Sequence, residues 1–361
     1  MAVKVYVVDD SAVVRQAIQH LLQDERDIEL IGSAPNAMLA AVAIRKRRPD
    51  VLLLDIEMPG MDGLTFLRQI MDEDPIPTVI CSTLSTSGSQ VALEALACGA
   101  VAVMAKPRMG LKQFLDESRL EVVQTLKAAA ASRPSAGAKP LAAGAASAAS
   151  AAPAKPRPAP TQAVAGVHAL SVNKPVVMGA STGGTQALEA VLTRLPVDCP
   201  GIAIVQHMPE NFTRMYAERL NKLCAMEVRE ARSGDRLQRG TVLIAPGGKH
   251  MQLTKSMGQY FVKVLDGPPV NRHKPSVDVL FRSAAEVAGK DVMGIILTGM
   301  GDDGARGMKA MHDGGARTVA QDEASCVVFG MPMEAIKLGG VDDVRPLSGM
   351  ADAILRFDAR A

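Results

Sequence analysis

Between residues 128 and 160, 16 of 33 positions are Ala, 6 are Pro and none is Asp or Glu. Alanine alone favours helix, but prolines at 134, 140, 153, 156, 158 and 160 interrupt it and bias the second half of the stretch toward extended polyproline II. With almost no large apolar side chain, the stretch cannot contribute to a core. It reads as a flexible linker over 128–170, separating two folded parts, 1–127 and 171–361. A chain of 361 residues accommodates this, because domains commonly hold ~100–200 residues each.

The charge of +2 conceals an uneven distribution. Residues 1–127 carry 13 basic and 17 acidic side chains, residues 128–173 carry 4 basic and no acidic ones, and the remainder carries 23 basic and 21 acidic. Neither folded part has the strong basic excess of a nucleic-acid binder, and 3 % aromatics with no Trp leaves little to build a base-stacking platform. The five cysteines (Cys81, Cys98, Cys199, Cys224 and Cys326) are widely spaced with no C-x-x-C pair, which suggests neither a disulfide framework nor zinc, and fits a reducing, cytoplasmic setting. The first strand-like run meets Asp9 and Asp10 too early for a secretory h-region. No run approaches the ~18 uncharged apolar residues of a membrane span, so a soluble protein without membrane insertion is expected.

In the first part, short apolar runs at 3–8, 28–31, 51–54, 78–81 and 101–104 alternate with amphipathic stretches such as 12–23 and 38–47. This spacing implies βαβ units and an open, doubly wound, flavodoxin-like parallel sheet with its site at the carboxyl ends of the strands. After the linker the alternation resumes. Strands are predicted at 176–178, 202–205, 242–244 and 292–297, and helices at 186–194, 212–223, 277–287 and 305–312. A hairpin is predicted over 251–264. The second part is therefore also α/β, with a mainly parallel sheet and an antiparallel excursion.

Asp9 and Asp10 end the first strand and Asp55 the third, so the topology gathers three carboxylates at one sheet edge. A hard divalent cation such as Mg²⁺ relieves their repulsion. Lys106, after the fifth strand, supplies a fixed positive charge, and Ser82, after the fourth, a hydroxyl. A carboxylate nucleophile with a metal and an ammonium group can accept a phosphoryl group. In the second part, Val176-Val-Met-Gly-Ala-Ser181-Thr-Gly-Gly184 is a strand entering a small-residue turn ahead of a helix, and it contains G-x-S-x-G. A serine nucleophile needs a base with an orienting carboxylate. His207 follows one strand, and Asp302-Asp303 lie in a Gly-rich loop after another. His250 and His273 occupy loops that could also line a pocket, whereas His20, His168 and His312 read as solvated or packed. Spacing does not separate Asp302 from Asp303.

VVDDS, LLLDIEMPGMDGL and AKP at 105–107 resemble the response-regulator receiver domain across residues 1 to about 125. That resemblance implies Asp55 as phosphoacceptor from a histidine kinase and Asp9, Asp10 and Asp55, with the Glu57 carbonyl, as Mg²⁺ ligands. It further implies Ser82 as switch hydroxyl and Lys106 as phosphate-sensing lysine. Val103 stands where many receivers carry an aromatic switch residue. GASTGG at 179–184, QHMP at 206–209, NRHKPSVDVLF at 271–281 and LTGMGDDGA at 297–305 resemble the catalytic domain of the chemotaxis protein-glutamate methylesterases, the CheB family. This second resemblance implies Ser181 as nucleophile, His207 as general base and acid, and Asp303 as orienting carboxylate, with Asp302 standing where the family often has Asn.

The expected reaction is hydrolysis of glutamate γ-methyl esters on chemoreceptors, with glutamine deamidation at the same site. Mg²⁺ is needed only for receiver phosphorylation. The backbone N–H groups of Thr182 and Met300 are the expected oxyanion donors, and Arg272, His273 and Lys274 the candidates for contacting an acidic receptor surface. The linker would tether the receiver where it blocks the catalytic face until Asp55 is phosphorylated. Two other classes compete: a receiver with a DNA-binding output domain, and a nucleotide-binding oxidoreductase built on GASTGG. The length and Gly-rich turns of the second part disfavour the first, and the incomplete glycine fingerprint disfavours the second.

Overall fold

The computed structural model describes residues 2–58, 60–82, 86–106, 111–132 and 174–359. The linker from 133 onward, Pro107 and His168 lie outside them. The first part comprises β1 (Val3–Val8), α1 (Ala12–Leu22), β2 (Ile28–Ala34), α2 (Ala37–Lys46), β3 (Val51–Asp55), α3 (Gly63–Glu73), β4 (Thr78–Ser82), α4 (Thr86–Ala97), β5 (Ala102–Ala105) and α5 (Leu111–Ala131). Its strands form a parallel sheet in the order β2-β1-β3-β4-β5, the doubly wound arrangement expected. β3 reads as a continuous apolar run because helices cover both its faces, and each of its five residues is buried. Side-chain caps fix where the first three helices begin: Ser11 accepts from Val14 N, Asn36 from Leu39 N and Asp62 from Thr65 N.

One boundary moves. α5 continues to Ala131, past the expected domain end at 127, and Ala128, Ala129 and Ser132 are buried. Ala129 packs in the core formed by Val5, Val51, Val122 and Leu126. The first alanines of the Ala/Pro stretch thus end the receiver, because alanine has the highest helix propensity and the first proline comes only at 134.

The second part comprises β6 (Val176–Ala180), α6 (Gly184–Leu192), β7 (Ile202–Gln206), α7 (Phe212–Leu223), β8 (Glu227–Glu230), β9 (Thr241–Ile244), β10 (His250–Ser256), β11 (Gln259–Leu265), α8 (Val277–Ala288), β12 (Met293–Ile296), α9 (Ala305–Asp313), β13 (Arg317–Gln321), α10 (Met331–Lys337), β14 (Asp343–Arg345) and α11 (Met350–Asp358). Its seven-stranded sheet runs β14-β13-β12-β6-β7-β9-β8 with every pair parallel. The expected hairpin forms as β10 and β11, outside that sheet, and α8 packs beside it, with the Ser283 hydroxyl accepting from Leu253 N. From β6 the chain builds outward through β7 and β9 on one side and through β12, β13 and β14 on the other. The crevice at the carboxyl ends of β6 and β12 is therefore a topological switch point, where open α/β sheets bind ligands. Among the described residues no helix is long and apolar enough to cross a membrane.

Candidate active site and phosphoacceptor site

Ser181, His207 and Asp303 follow three neighbouring strands, β6, β7 and β12. The register pairs Ala180 with Gln206, so Ser181 and His207 are the next residues along adjacent strands, and His207 N donates to Ala180 O at 3.1 Å. The turn carrying Ser181 requires its glycines. Gly183 has φ +76°, and a Cβ there would lie 2.5 Å from Val327; a Cβ on Gly184 would lie 2.2 Å from Gln206 Oε1. Gln206, itself buried, donates from Nε2 to Ser181 O at 2.9 Å and to His207 O at 3.1 Å, tying the two strand ends together.

Asp303 is 1 % exposed. Its Oδ2 accepts from His207 Nε2 at 2.9 Å and Val277 N at 2.7 Å; its Oδ1 accepts from Ser276 Oγ at 2.7 Å, Asn271 Nδ2 at 2.8 Å and Asp278 N at 3.2 Å. Val277 and Asp278 open α8, so the carboxylate also sits at the positive end of a helix dipole. Burial alone would raise this carboxyl. The hydrogen bond and charge of His207, with Asn271 and Ser276, outweigh burial and hold it well below the usual carboxylate range. Asp303 is thus ionised and can only accept, so His207 Nε2 carries the proton. In the neutral ring that leaves the lone pair on Nδ1, a buried atom with no hydrogen-bond partner. Asp302 is half exposed and pairs instead with Arg272 at 3.4 Å, which separates the two aspartates that spacing leaves equivalent.

Among the described residues, neither the Thr182 N–H nor the Met300 N–H is engaged. The two amides flank Ser181, because Gly299 approaches so closely that a Cβ on it would lie 2.8 Å from Ser181 Cβ. His250 is not in this constellation. It is buried, its Nδ1 accepts from Ser276 N at 3.2 Å, and its Nε2 meets Pro268 O at 3.0 Å, so it supports the loop that reaches Asp303. His312 is a surface residue between Asp313 and Asp342. The candidate cationic loop is weaker than expected: Arg272 is paired to Asp302, Lys274 to Asp266, and burial beside His207 pushes His273 down to about 3, so it is neutral. Sequence reasoning missed Gln206, Asn271, Ser276 and the contact of His273 with His207, all of which lie inside the strings QHMP and NRHKPS.

At the other sheet edge Asp9, Asp10 and Asp55 each bring a carboxylate oxygen within 4.8 Å of the others. Lys106 Nζ lies 2.6 Å from Asp55 Oδ2 and 3.4 Å from Asp9 Oδ2. Asp55 Oδ1 accepts from Glu57 N, and Asp9 Oδ1 from Ser11 N. Burial pushes the Asp55 carboxyl up to about 6 and raises Asp9 as well, even against the pull of Lys106. Asp9 Oδ2 is buried with no hydrogen-bond partner. Its cationic neighbour, Lys106, stands 3.4 Å away and is shared with Asp55, so this buried acidic pocket suits a hard divalent cation with oxygen ligands. Ser82 is buried at the end of β4 beside this pocket.

The two edges meet. Gly183 N, two residues past Ser181, donates to Val101 O of the receiver at 3.3 Å, and Gln186 Nε2 donates to Leu96 O and Ala100 O at 2.9 Å each. Val327, packed against Gly183, also packs against the receiver core. Leu93 and Leu96 of α4 share one buried cluster with Leu188 of α6 and Tyr216 of α7.

The chemistry available here is acyl transfer at one sheet edge and phosphoryl acceptance at the other, which defines a receiver-controlled hydrolase. Two family models match, the CheB methylesterase at residues 176–354 and the response regulator receiver domain at residues 5–117. A protein of Chromobacterium violaceum named protein-glutamate methylesterase/protein-glutamine glutaminase 1 is 54% identical over 97% of this chain and 98% of its own length. The protein of that name in Xanthomonas oryzae pv. oryzae is 56% identical over 97% of this chain and 99% of its own length. The crystal structure of the Thermotoga maritima CheB methylesterase catalytic domain aligns with a TM-score of 0.50 and 36% identity, covering 51% of this chain and 98% of that one. The chain belongs to the CheB family of receiver-linked protein-glutamate methylesterases.

Proposed function

We propose that the chain removes methyl esters from glutamate side chains of methyl-accepting chemoreceptors, and deamidates receptor glutamines, with Ser181, His207 and Asp303 as its triad. The observation that carries this reading is the His207–Asp303 pair, which leaves His207 Nδ1 as the available base beside Ser181. Ser181 Oγ attacks the ester carbonyl while His207 Nδ1 takes its proton. The carbonyl oxygen becomes an oxyanion facing the Thr182 and Met300 amides, where one such donor is worth ~10²–10³ in rate. His207 then protonates methoxide, which leaves as methanol. Water repeats the cycle on the acyl-enzyme, regenerating Ser181 and leaving the carboxylate. An amide substrate follows the same path and releases ammonia. No cofactor enters these steps. The five cysteines are free, in keeping with a cytoplasmic enzyme acting on the cytoplasmic bundle of a receptor.

Asp55 is the phosphoacceptor from a chemotaxis histidine kinase, and Asp9, Asp10, Asp55 and the Glu57 carbonyl are the ligands of Mg²⁺. When bound, the metal would neutralise charge on the transferred group; Lys106, already beside Asp55, would add its positive charge, and Ser82 would offer its hydroxyl as the switch. Saturating Mg²⁺ is expected to raise the melting temperature of the full chain by a few degrees, because binding to the folded state alone adds ~2.7 kcal/mol at 100 times Kd. Circular dichroism is the suitable monitor, since the chain has no Trp. In Asp9→Asn the Mg²⁺-dependent rise disappears; a rise of the same size would contradict the ligand assignment.

The unphosphorylated receiver restrains the esterase through the contacts at Gly183 and Gln186. Gln186 gives two hydrogen bonds, each worth ~0.5–1.5 kcal/mol net, so their loss shifts docking several-fold or more. Gln186→Ala is expected to raise phosphodonor-free methanol release by roughly 5-fold or more and to leave the phosphorylated rate nearly unchanged. A phosphodonor-free rate equal to wild type would argue against this contact as the restraint.

A further inference from the structure

We propose that His273 is a positioning residue that fixes the ring plane of His207 by stacking on it, delivered by a tight turn that holds both members of the His207–Asp303 pair. The inference deepens the proposed function and rests on its assignment of His207 as the base. The two imidazole rings are nearly parallel, with centroids 3.8 Å apart and an interplanar angle of 10°. That separation is van der Waals thickness, so the His273 ring occupies the space through which His207 would have to tilt.

Two constraints are needed because one hydrogen bond does not immobilise a ring. The Nε2 contact to Asp303 fixes one atom in the plane, and the ring can still pivot about that contact. Pivoting would move Nδ1, the nitrogen that must meet the Ser181 hydroxyl. A second surface against one face removes the remaining freedom. Burial, then the neighbouring His207 and Arg272, outweigh the pull of Asp303 and keep the His273 ring neutral. It therefore presents a π face, and no charge, to the imidazolium that forms on His207 during each half-reaction.

The turn that carries His273 is built for close placement. Val270 N donates to His273 O at 3.1 Å and His273 N to Val270 O at 3.0 Å, closing a turn over residues 270–273. Its central residues, Asn271 and Arg272, have φ of +49° and +70°, a left-handed pair that neither side chain favours. The strain is held from the Asn271 side, where Nδ2 donates to Asp303 Oδ1 and to Asp278 Oδ2, both at 2.8 Å. One turn thereby fixes the carboxylate through Asn271 and the base through His273. Asp278 is paired to Arg282, and Arg272 and Asp302 are joined to each other at the rim.

The test uses the full chain with a phosphodonor and methylated receptor membranes, comparing wild type, His273→Ala, His273→Phe and Ser181→Ala. His273→Ala is expected to lower kcat by roughly 10–100-fold with KM within about twofold, since misplacing a reacting group costs rate and not binding. His273→Phe restores a flat ring and is expected to return to within about fivefold of wild type. Two-bond ¹H–¹⁵N spectra of the imidazoles should give the Nε2–H tautomer for His207 in wild type, His273→Phe and His273→Ala alike, because Asp303 fixes the proton and His273 only the ring plane. A kcat for His273→Ala equal to wild type would overturn the inference, as would a Phe variant as slow as the Ala variant. Those outcomes leave the triad standing if Ser181→Ala is inactive. An active Ser181→Ala variant would remove the underlying reading and this one with it.

Discussion

Methanol release by the phosphorylated chain is expected to fall at least ~10⁴-fold when Ser181 is replaced by Ala, with the melting temperature unchanged within about two degrees. A serine triad works as a unit, so losing the nucleophile leaves only what oxyanion donors and substrate binding supply, ~10³–10⁴ over water. The hydroxyl follows β6 on a turn whose shape is set by Gly183 and Gly184 and by the Gln206 bond to the Ser181 carbonyl, none of which Ala disturbs. Gas-phase detection of methanol from labelled receptor membranes measures the loss directly. A variant that keeps more than about a tenth of the activity would end the serine assignment.

Asp303→Asn is expected to cost ~10³–10⁴ in kcat and also several degrees of melting temperature. The two effects share one cause. The carboxylate accepts five hydrogen bonds, divided between two oxygens. An amide has one acceptor oxygen, so its NH₂ faces donors whichever way it turns. Directed at His207, it forces the proton onto Nδ1 and removes the lone pair that serine needs. Directed at Asn271, Ser276 and Asp278, it leaves buried donors unpaired at ~1–3 kcal/mol each.

The pH dependence of stability follows from the same carboxylate. Its folded value lies below the unfolded 3.8, so its contribution is complete above that value and is lost as pH falls through it toward the lower folded value. In Asp303→Asn the fall in melting temperature between about pH 5 and pH 3 should be shallower than in wild type. An equally steep fall would mean that other carboxylates carry the acid sensitivity.

Much of this was legible in the sequence for physical reasons. β3, β6 and β7 are central parallel strands buried on both faces, so each reads as an apolar run ending at a polar residue that marks the site, and β1 does so from Val5 onward. The edge strands did not read this way: β8 is Glu-Val-Arg-Glu and β14 only Asp-Val-Arg, since an edge is half solvated and blunted by charge. α10 and α11 were also passed over. The boundary expected at 127 falls inside α5 because alanine serves helix and linker equally, and only burial of Ala129 distinguishes them. At the candidate active site Ser181 was marked by its glycines. The groups around Asp303 were not, because Asn271, Ser276 and His273 reach it from a loop whose left-handed turn no residue pattern announces. Asp302 and Asp303 were inseparable until the structure turned one toward Arg272 and the other toward His207.

On the proposed reading, contacts beside Ser181 join a phosphoryl-accepting switch to a serine esterase in one chain. The most direct measurement is methanol release from methylated receptor membranes by the full chain, with Mg²⁺, before and after addition of a small-molecule phosphodonor, in wild type and in Asp55→Asn. The expected result is a rate that rises about tenfold or more in wild type and stays at its starting value in Asp55→Asn. Equal rates with and without phosphodonor in wild type, or an equal rise in Asp55→Asn, would contradict the claim.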